Sequence, residues 1–153
     1  MPSAVVKGVN VVELADLTIK EFHGGVSTKD PKLSAVHETI TAASVSPWRC
    51  PEFTEYILVI EGEAHVETDA VQVVKAGSGV YLPRGCRVRV NFPGPAQVIA
   101  ICLPAFSPTI EHAEQEGAVA VAPAHKTEDA PTLFQSVDVV KAPTLTITEY
   151  FGN

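Results

Sequence analysis

Ser46–Gly85 reads SPWRCPEFTEYILVIEGEAHVETDAVQVVKAGSGVYLPRG. Short runs of valine, isoleucine, leucine and tyrosine alternate here with Gly, Pro and Asp punctuation, the pattern of β-strands joined by tight turns. Glu55 is followed after six residues by Gly62, and Gly77 is followed by Pro83 and Gly85. Glu61-Gly62-Glu63 and Thr68-Asp69-Ala70 are natural connections, although the second lacks the glycine that favoured two-residue hairpins use. Residues two apart on a strand share a face. If Glu55 points inward, Ile57 and Val59 follow it, and Val88, Val90 and Phe92 line a facing strand.

The same texture extends outward from this stretch. Strands are expected at His37–Val45, Tyr56–Ile60, Ala64–Thr68, Val71–Val74, Gly79–Leu82, Arg87–Phe92 and Gln97–Leu103. Pro108–Glu116 is compatible with one short helical turn stopped at Gly117. Residues 117–131, rich in alanine, proline and charge, read as a surface crossing or arm. Beyond them the chain echoes its own beginning. VNVVELADLTIKEFHG at Val9–Gly24 recurs in register as VDVVKAPTLTITEYFG at Val137–Gly152. Two similar edge strands, packed together or across a dimer, explain the echo, as does descent from a tandem ancestor.

A chain of 153 residues fits one domain, and 46% hydrophobic with 19% charged residues fits a globular one. The net charge of −7, with scattered positive residues, argues against a nucleic-acid partner. No run approaches the roughly 18 apolar residues of a membrane span. The N-terminus lacks the continuous apolar core of a signal peptide. Cys50, Cys86 and Cys102 lack metal-ligand pair spacing and suit free thiols in a reducing compartment, so cytoplasmic residence is expected.

The punctuation resembles that of the cupin superfamily, whose motifs read G-x5-H-x-H-x3-4-E-x6-G and G-x5-P-x-G-x2-H-x3-N. With the longer spacer, the first motif's histidines fall on Trp48 and Cys50 and its carboxylate on Glu55. The second motif's histidine falls on Val88 and its asparagine on Phe92. Pro47-Trp48, Glu61-Gly62-Glu63 with His65-Val66, Lys75-Ala76-Gly77 and Pro83-Arg84-Gly85 narrow the resemblance to cupins of the ethanolamine-utilisation protein Q type. It covers Ser46 to Pro104 and implies an all-β, jelly-roll-like barrel in a single domain spanning 1–153, with its core at about 36–106 and edge strands at both termini. It also implies a homodimer.

The expected interior is apolar with few polar groups, which suits a small organic ligand held by shape and one or two hydrogen bonds. Glu55 is the candidate catalytic acid or base, because a carboxylate in an apolar interior has a raised pKa unless a cation stabilises it. Trp48, Cys50, Glu55, Tyr81 and Val88 are the candidate ligand-binding set. No cofactor is expected; a divalent metal, if bound, would take Cys50, Glu55 and His37. Trp48 stacks on a ligand or plugs the barrel end, and Cys50 is a ligand or an inert buried thiol. Arg87 and Arg89 belong outside the cavity, paired with acids such as Glu61 or Glu63 or with a partner subunit. The leading reading is a small-molecule-binding or accessory cupin with a degenerate metal site. Its alternatives are an enzyme using Glu55 on a small carbonyl, sugar or carboxylate, and a nonstandard metallocupin.

Overall fold

The computed structural model describes residues 5–115 and 130–152. The strands, in chain order, are β1 (Val9–Glu13), β2 (Leu17–His23), β3 (Ser34–Ile40), β4 (Ser44–Val45), β5 (Thr54–Glu61), β6 (Glu63–Glu67) and β7 (Val71–Lys75). They continue with β8 (Ser78–Leu82), β9 (Arg89–Phe92), β10 (Ala96–Leu103), β11 (Thr132–Gln135), β12 (Val137–Ala142) and β13 (Leu145–Glu149). The short helix α1 (Pro108–Glu111) lies between β10 and β11. Seven strands form one antiparallel sheet in the order β1-β2-β3-β10-β5-β8-β11, and four form a second in the order β4-β9-β6-β7. Among the described residues, β12 and β13 pair only with each other.

The expected all-β jelly-roll-like fold is present, built as two facing sheets. Alternation places Ile57 and Val59 of β5, Val80 and Leu82 of β8, and Val98 and Ala100 of β10 inside. All but Ala100 meet Ala64 and Val66 of β6, Val74 of β7, and Val90 and Phe92 of β9 in one buried cluster. Val59, Val74 and Val80 are wholly buried, so this layer excludes water and supplies the main hydrophobic stabilisation.

One turn position and one strand position require glycine. Gly62 joins β5 to β6 at φ 77°, where a Cβ would collide with the Pro95 carbonyl. On the outer face of β8, a Cβ at Gly79 would meet the ring of Phe151 at 2.7 Å. Phe151 therefore lies against the sheet, edge-on to Tyr56 and Phe134 with centroids 4.8 and 5.0 Å away, and ties the C-terminal segment to the sheet's outer face.

Three expectations change. The strand foreseen over His37–Val45 is two, β3 and β4, which belong to different sheets, so the chain turns a corner between them. The helical turn closes early because His112 adopts the left-handed conformation at φ 51°. The echoing termini are hairpins, not single edge strands: β1–β2 extends the large sheet through β3, and β12–β13 forms a separate two-stranded sheet. The crossing expected at 117–131 falls almost entirely outside the described residues.

Candidate functional site at the sandwich interior

Between Val45 and Thr54 the chain runs without regular strand, anchored by a two-way backbone pair between Arg49 and Val88 (2.9 and 2.8 Å). That anchor fixes the alternation. Arg49 turns inward and is buried, while Trp48 and Cys50 on either side keep partial exposure. Inside, Arg49 donates from Nη2 to Glu55 Oε2 at 2.6 Å, and both side chains are at most 10% exposed. Burial would lower the Arg49 pKa, but the Glu55 carboxylate and its hydrogen bond outweigh it and leave the guanidinium above its usual value.

Two further carboxyls face this pair. Glu38, on β3, shares the inward face with Ser34 and Ile40. Protein surrounds its carboxyl although the residue keeps some solvent contact. Burial, and then the Glu55 charge, raise it to about 7, against a smaller opposing pull from Arg49. α1 brings Glu111 to the same neighbourhood, where burial raises its pKa, Arg49 lowers it and Glu55 raises it again. Cys102 lies directly across from Glu55 in the β10–β5 register and from Ser34 in the β10–β3 register. Burial and the Glu55 charge push its thiol far above the ordinary range. The interior thus holds one guanidinium, three carboxyls and a neutral thiol on a valine- and phenylalanine-lined floor that includes Val88 and Phe53.

Of the expected set, Glu55 and Val88 are interior. Trp48 lies on the outer side against Arg87 and Arg89, whose guanidinium carbons sit 4.1 and 4.8 Å from its ring centroid. Cys50 directs Sγ to the Gly85 carbonyl at 3.2 Å, and its charged neighbours are Arg87 and Glu114. Tyr81 packs on Tyr56 with centroids 5.3 Å apart, on the outer face that also carries Phe151. His37 hydrogen-bonds Gln97 at 2.8 Å on the outer face of β3 and β10. Arg87 and Arg89 lie outside the interior, but their acids are Glu114 (2.7 Å) and Glu67 (2.5 Å) rather than Glu61 or Glu63.

The donor set does not fit a divalent metal. Cys50, Glu55 and His37 point to three different places, Glu55 is engaged by Arg49, and an apolar valine fills the position across from Arg49. Among the described residues no group of three or more His, Cys, Asp and Glu side chains is arranged to hold an ion. Sequence reasoning missed Arg49, Glu38 and Glu111. With the shorter x3 spacer the first motif's leading histidine falls on Arg49, so the signal was one residue away in the choice of spacer. Glu111 gave no signal, because nothing in its local pattern shows that α1 folds back over the sandwich.

No protein-family model matches the chain. It is 30% identical over 116 residues to a protein named endoribonuclease YbeY from Myxococcus xanthus (strain DK1622), a match that covers 70% of this chain and 40% of that one. The chain therefore spans well under half of that relative. Among solved structures it is similar to an RmlC-like cupin from Shewanella frigidimarina NCIMB 400, with a TM-score of 0.56, 18% identity, and coverage of 69% of this chain and 89% of that one. It is also similar to an ethanolamine utilization protein Q from Salmonella typhimurium LT2, with a TM-score of 0.51, 20% identity, and coverage of 59% and 71%. The fold is that of a cupin. The particular likeness read from Ser46–Pro104, to the ethanolamine-utilisation Q type, is matched by that second neighbour.

Proposed function

We propose that the chain is a small-molecule-binding cupin, acting as a cytoplasmic homodimer, whose interior is organised by a built-in cation, Arg49, in place of a metal. The buried Arg49–Glu55 pair carries this reading. It places a permanent positive charge where the motif's first histidine would stand and neutralises the one motif carboxylate that remains. With Glu55 matched, no cation is left free for a small carboxylate, while Glu38 and Glu111, both held towards their neutral acid forms, can exchange hydrogen bonds with neutral or cationic polar molecules such as polyols and amines. Thermal-shift titration with polyols, amines, carboxylates and divalent metals tests it. Stabilisation by one of the first two classes, weakened in Glu38→Gln, is the expected result. Stabilisation by carboxylates alone, or by a metal reversibly removed by chelator, would overturn it.

A second reading, proton chemistry, is favoured by one observation: Glu38, raised to about 7, has the acidity of a general acid or base at neutral pH. The enzymatic role expected of Glu55 would then pass to Glu38. Activity on a carbonyl or sugar substrate would titrate near neutrality and vanish in Glu38→Gln. The ribonuclease name belongs to the longer relative. Arg84, Arg87 and Arg89 lend no support to RNA binding here, since each is matched to a carboxylate.

A further inference from the structure

Residues 106–114, which include α1, are held to the rest of the protein mainly by polar contacts. None of them is buried, so little apolar packing fixes the segment in place. Its near end is tied by Phe106, whose amide donates to Ser34 Oγ at 2.9 Å and whose ring meets Phe53 edge-on. Its far end runs beside the irregular stretch before β5. There the Glu52 amide donates to the Ile110 carbonyl at 2.8 Å, and the Glu114 amide to the Trp48 carbonyl at 2.7 Å. Arg49 is bridged to Val88 on one side and to Ala113 on the other, so the segment adds an outermost row beside the small sheet. Two ion pairs fasten that row, Glu114 with Arg87 at 2.7 Å and His112 with Glu52 at 2.9 Å. His112 sits in the left-handed region at φ 51°, a conformation that persists only while its surroundings enforce it.

The row lies over the margin of the interior, where the four-stranded sheet is too narrow to cover the seven-stranded one. On β3, Ser34 and Ile40 are buried, but the inward-facing Val36 and Glu38 keep partial exposure. Into this margin the row carries the Glu111 carboxyl. It faces Arg49, Glu55 of β5 and Glu38 of β3, while Cys102 of β10, across from Glu55, is held neutral. Arg49 is the single cation among these groups, and it already bonds Glu55. Glu111 therefore fits against them as a neutral acid. Burial holds it towards that form, with the Glu55 charge assisting and Arg49 opposing. Ionised, it sets a further carboxylate against a guanidinium that is already matched.

We propose that residues 106–114 are a strap over the Arg49–Glu55 interior, closed while Glu111 carries a proton and released when it ionises. Proton linkage sets the direction. The closed strap keeps a proton that the open one, with Glu111 in water, gives up, so opening increases as pH rises. The His112–Glu52 pair works the same way, because its charge attraction is lost when the imidazole deprotonates. Release uncovers Glu38 and Arg49 along the margin where solvent already comes closest. The inference rests on the small-molecule reading for what enters, and adds when it enters.

The test is hydrogen exchange on the intact, ligand-free chain, read by NMR from pH 4.5 to 8 and normalised to intrinsic rates. The Glu52 and Glu114 amides report the strap, and the β5–β10 ladder reports global opening. Relative to that ladder, the two amides are expected to lose protection by up to about tenfold per pH unit above the ordinary glutamate value of 4.5, then level off. Glu111→Gln, which cannot ionise, is expected to remove most of that loss. Glu114→Ala, which releases the Arg87 anchor, is expected to speed exchange of the Glu52 amide even at pH 4.5. Strap amides that follow the ladder at every pH, or a pH response that survives undiminished in Glu111→Gln, overturn the proposal. These readings use no ligand, so a strap that fails leaves the binding reading intact, and polyols and amines that fail to bind leave an opening strap intact.

Discussion

Arg49 and Glu55 form a pair whose breaking is costlier than its replacement. Arg49→Met leaves a buried, unmatched carboxylate and is expected to cost about 3–5 kcal/mol by urea denaturation. Arg49→Met with Glu55→Leu is expected to recover most of that loss, since no charge is then stranded. Glu38 adds a pH dependence of definite sign. Its folded pKa of about 7 lies above the ordinary 4.5, so between these values the unfolded chain gives up a proton that the folded chain keeps. Stability therefore falls as pH rises from about 4.5 to 7, by at most about 3 kcal/mol, and levels off above. Glu38→Gln should flatten that fall in denaturation curves taken across the range. Glu55 was legible as the interior carboxylate from its spacing to Gly62. Its partner was not, because the stretch before it is irregular and alternation cannot be counted through residues that belong to no strand.

Strands and turns were the most legible elements, since period-two alternation and glycine punctuation are local signals. Gly62 shows why. A left-handed φ and the close Pro95 carbonyl together leave room for no side chain, so Gly62→Ala should destabilise by about 1–3 kcal/mol. Gly94→Ala, with nothing within 4 Å of the added carbon, should be close to neutral in the same thermal melts. The corner between β3 and β4 was missed because Thr41, Ala42 and Ala43 carry no glycine or proline to mark it. The terminal hairpins were seen as strands but not as hairpins: Ala15-Asp16 and Pro143-Thr144 lack the glycine that would announce a turn. Trp48 illustrates the other limit. Its place against two arginines depends on β9 approaching from a distant part of the chain, and Trp48→Ala should loosen the Arg87–Glu114 and Arg89–Glu67 pairs, visible as faster amide exchange at the start of β9.

At the scale of the molecule, two sheets of unequal width set where the chain is closed and where it is open. The middle is dense, and Cys102 within it is held neutral by burial; Cys86, half-buried in the loop before β9, is pushed up to about 11. Alkylation at pH 8 should accordingly leave Cys102 unmodified until the protein unfolds, as mass spectrometry would record. The resemblance to cupins revealed this architecture because Gly62, Gly77 and Gly85 mark turns that any such sandwich needs; it said less about the interior, where a one-residue shift exchanges one face for the other. A cupin that holds a metal borrows its central charge from its surroundings and competes for it with every other site in the cell. The charge that Arg49 brings to this interior is spelled in a codon: it arrives with synthesis, is present in every molecule at equal dose, and leaves only with the polypeptide.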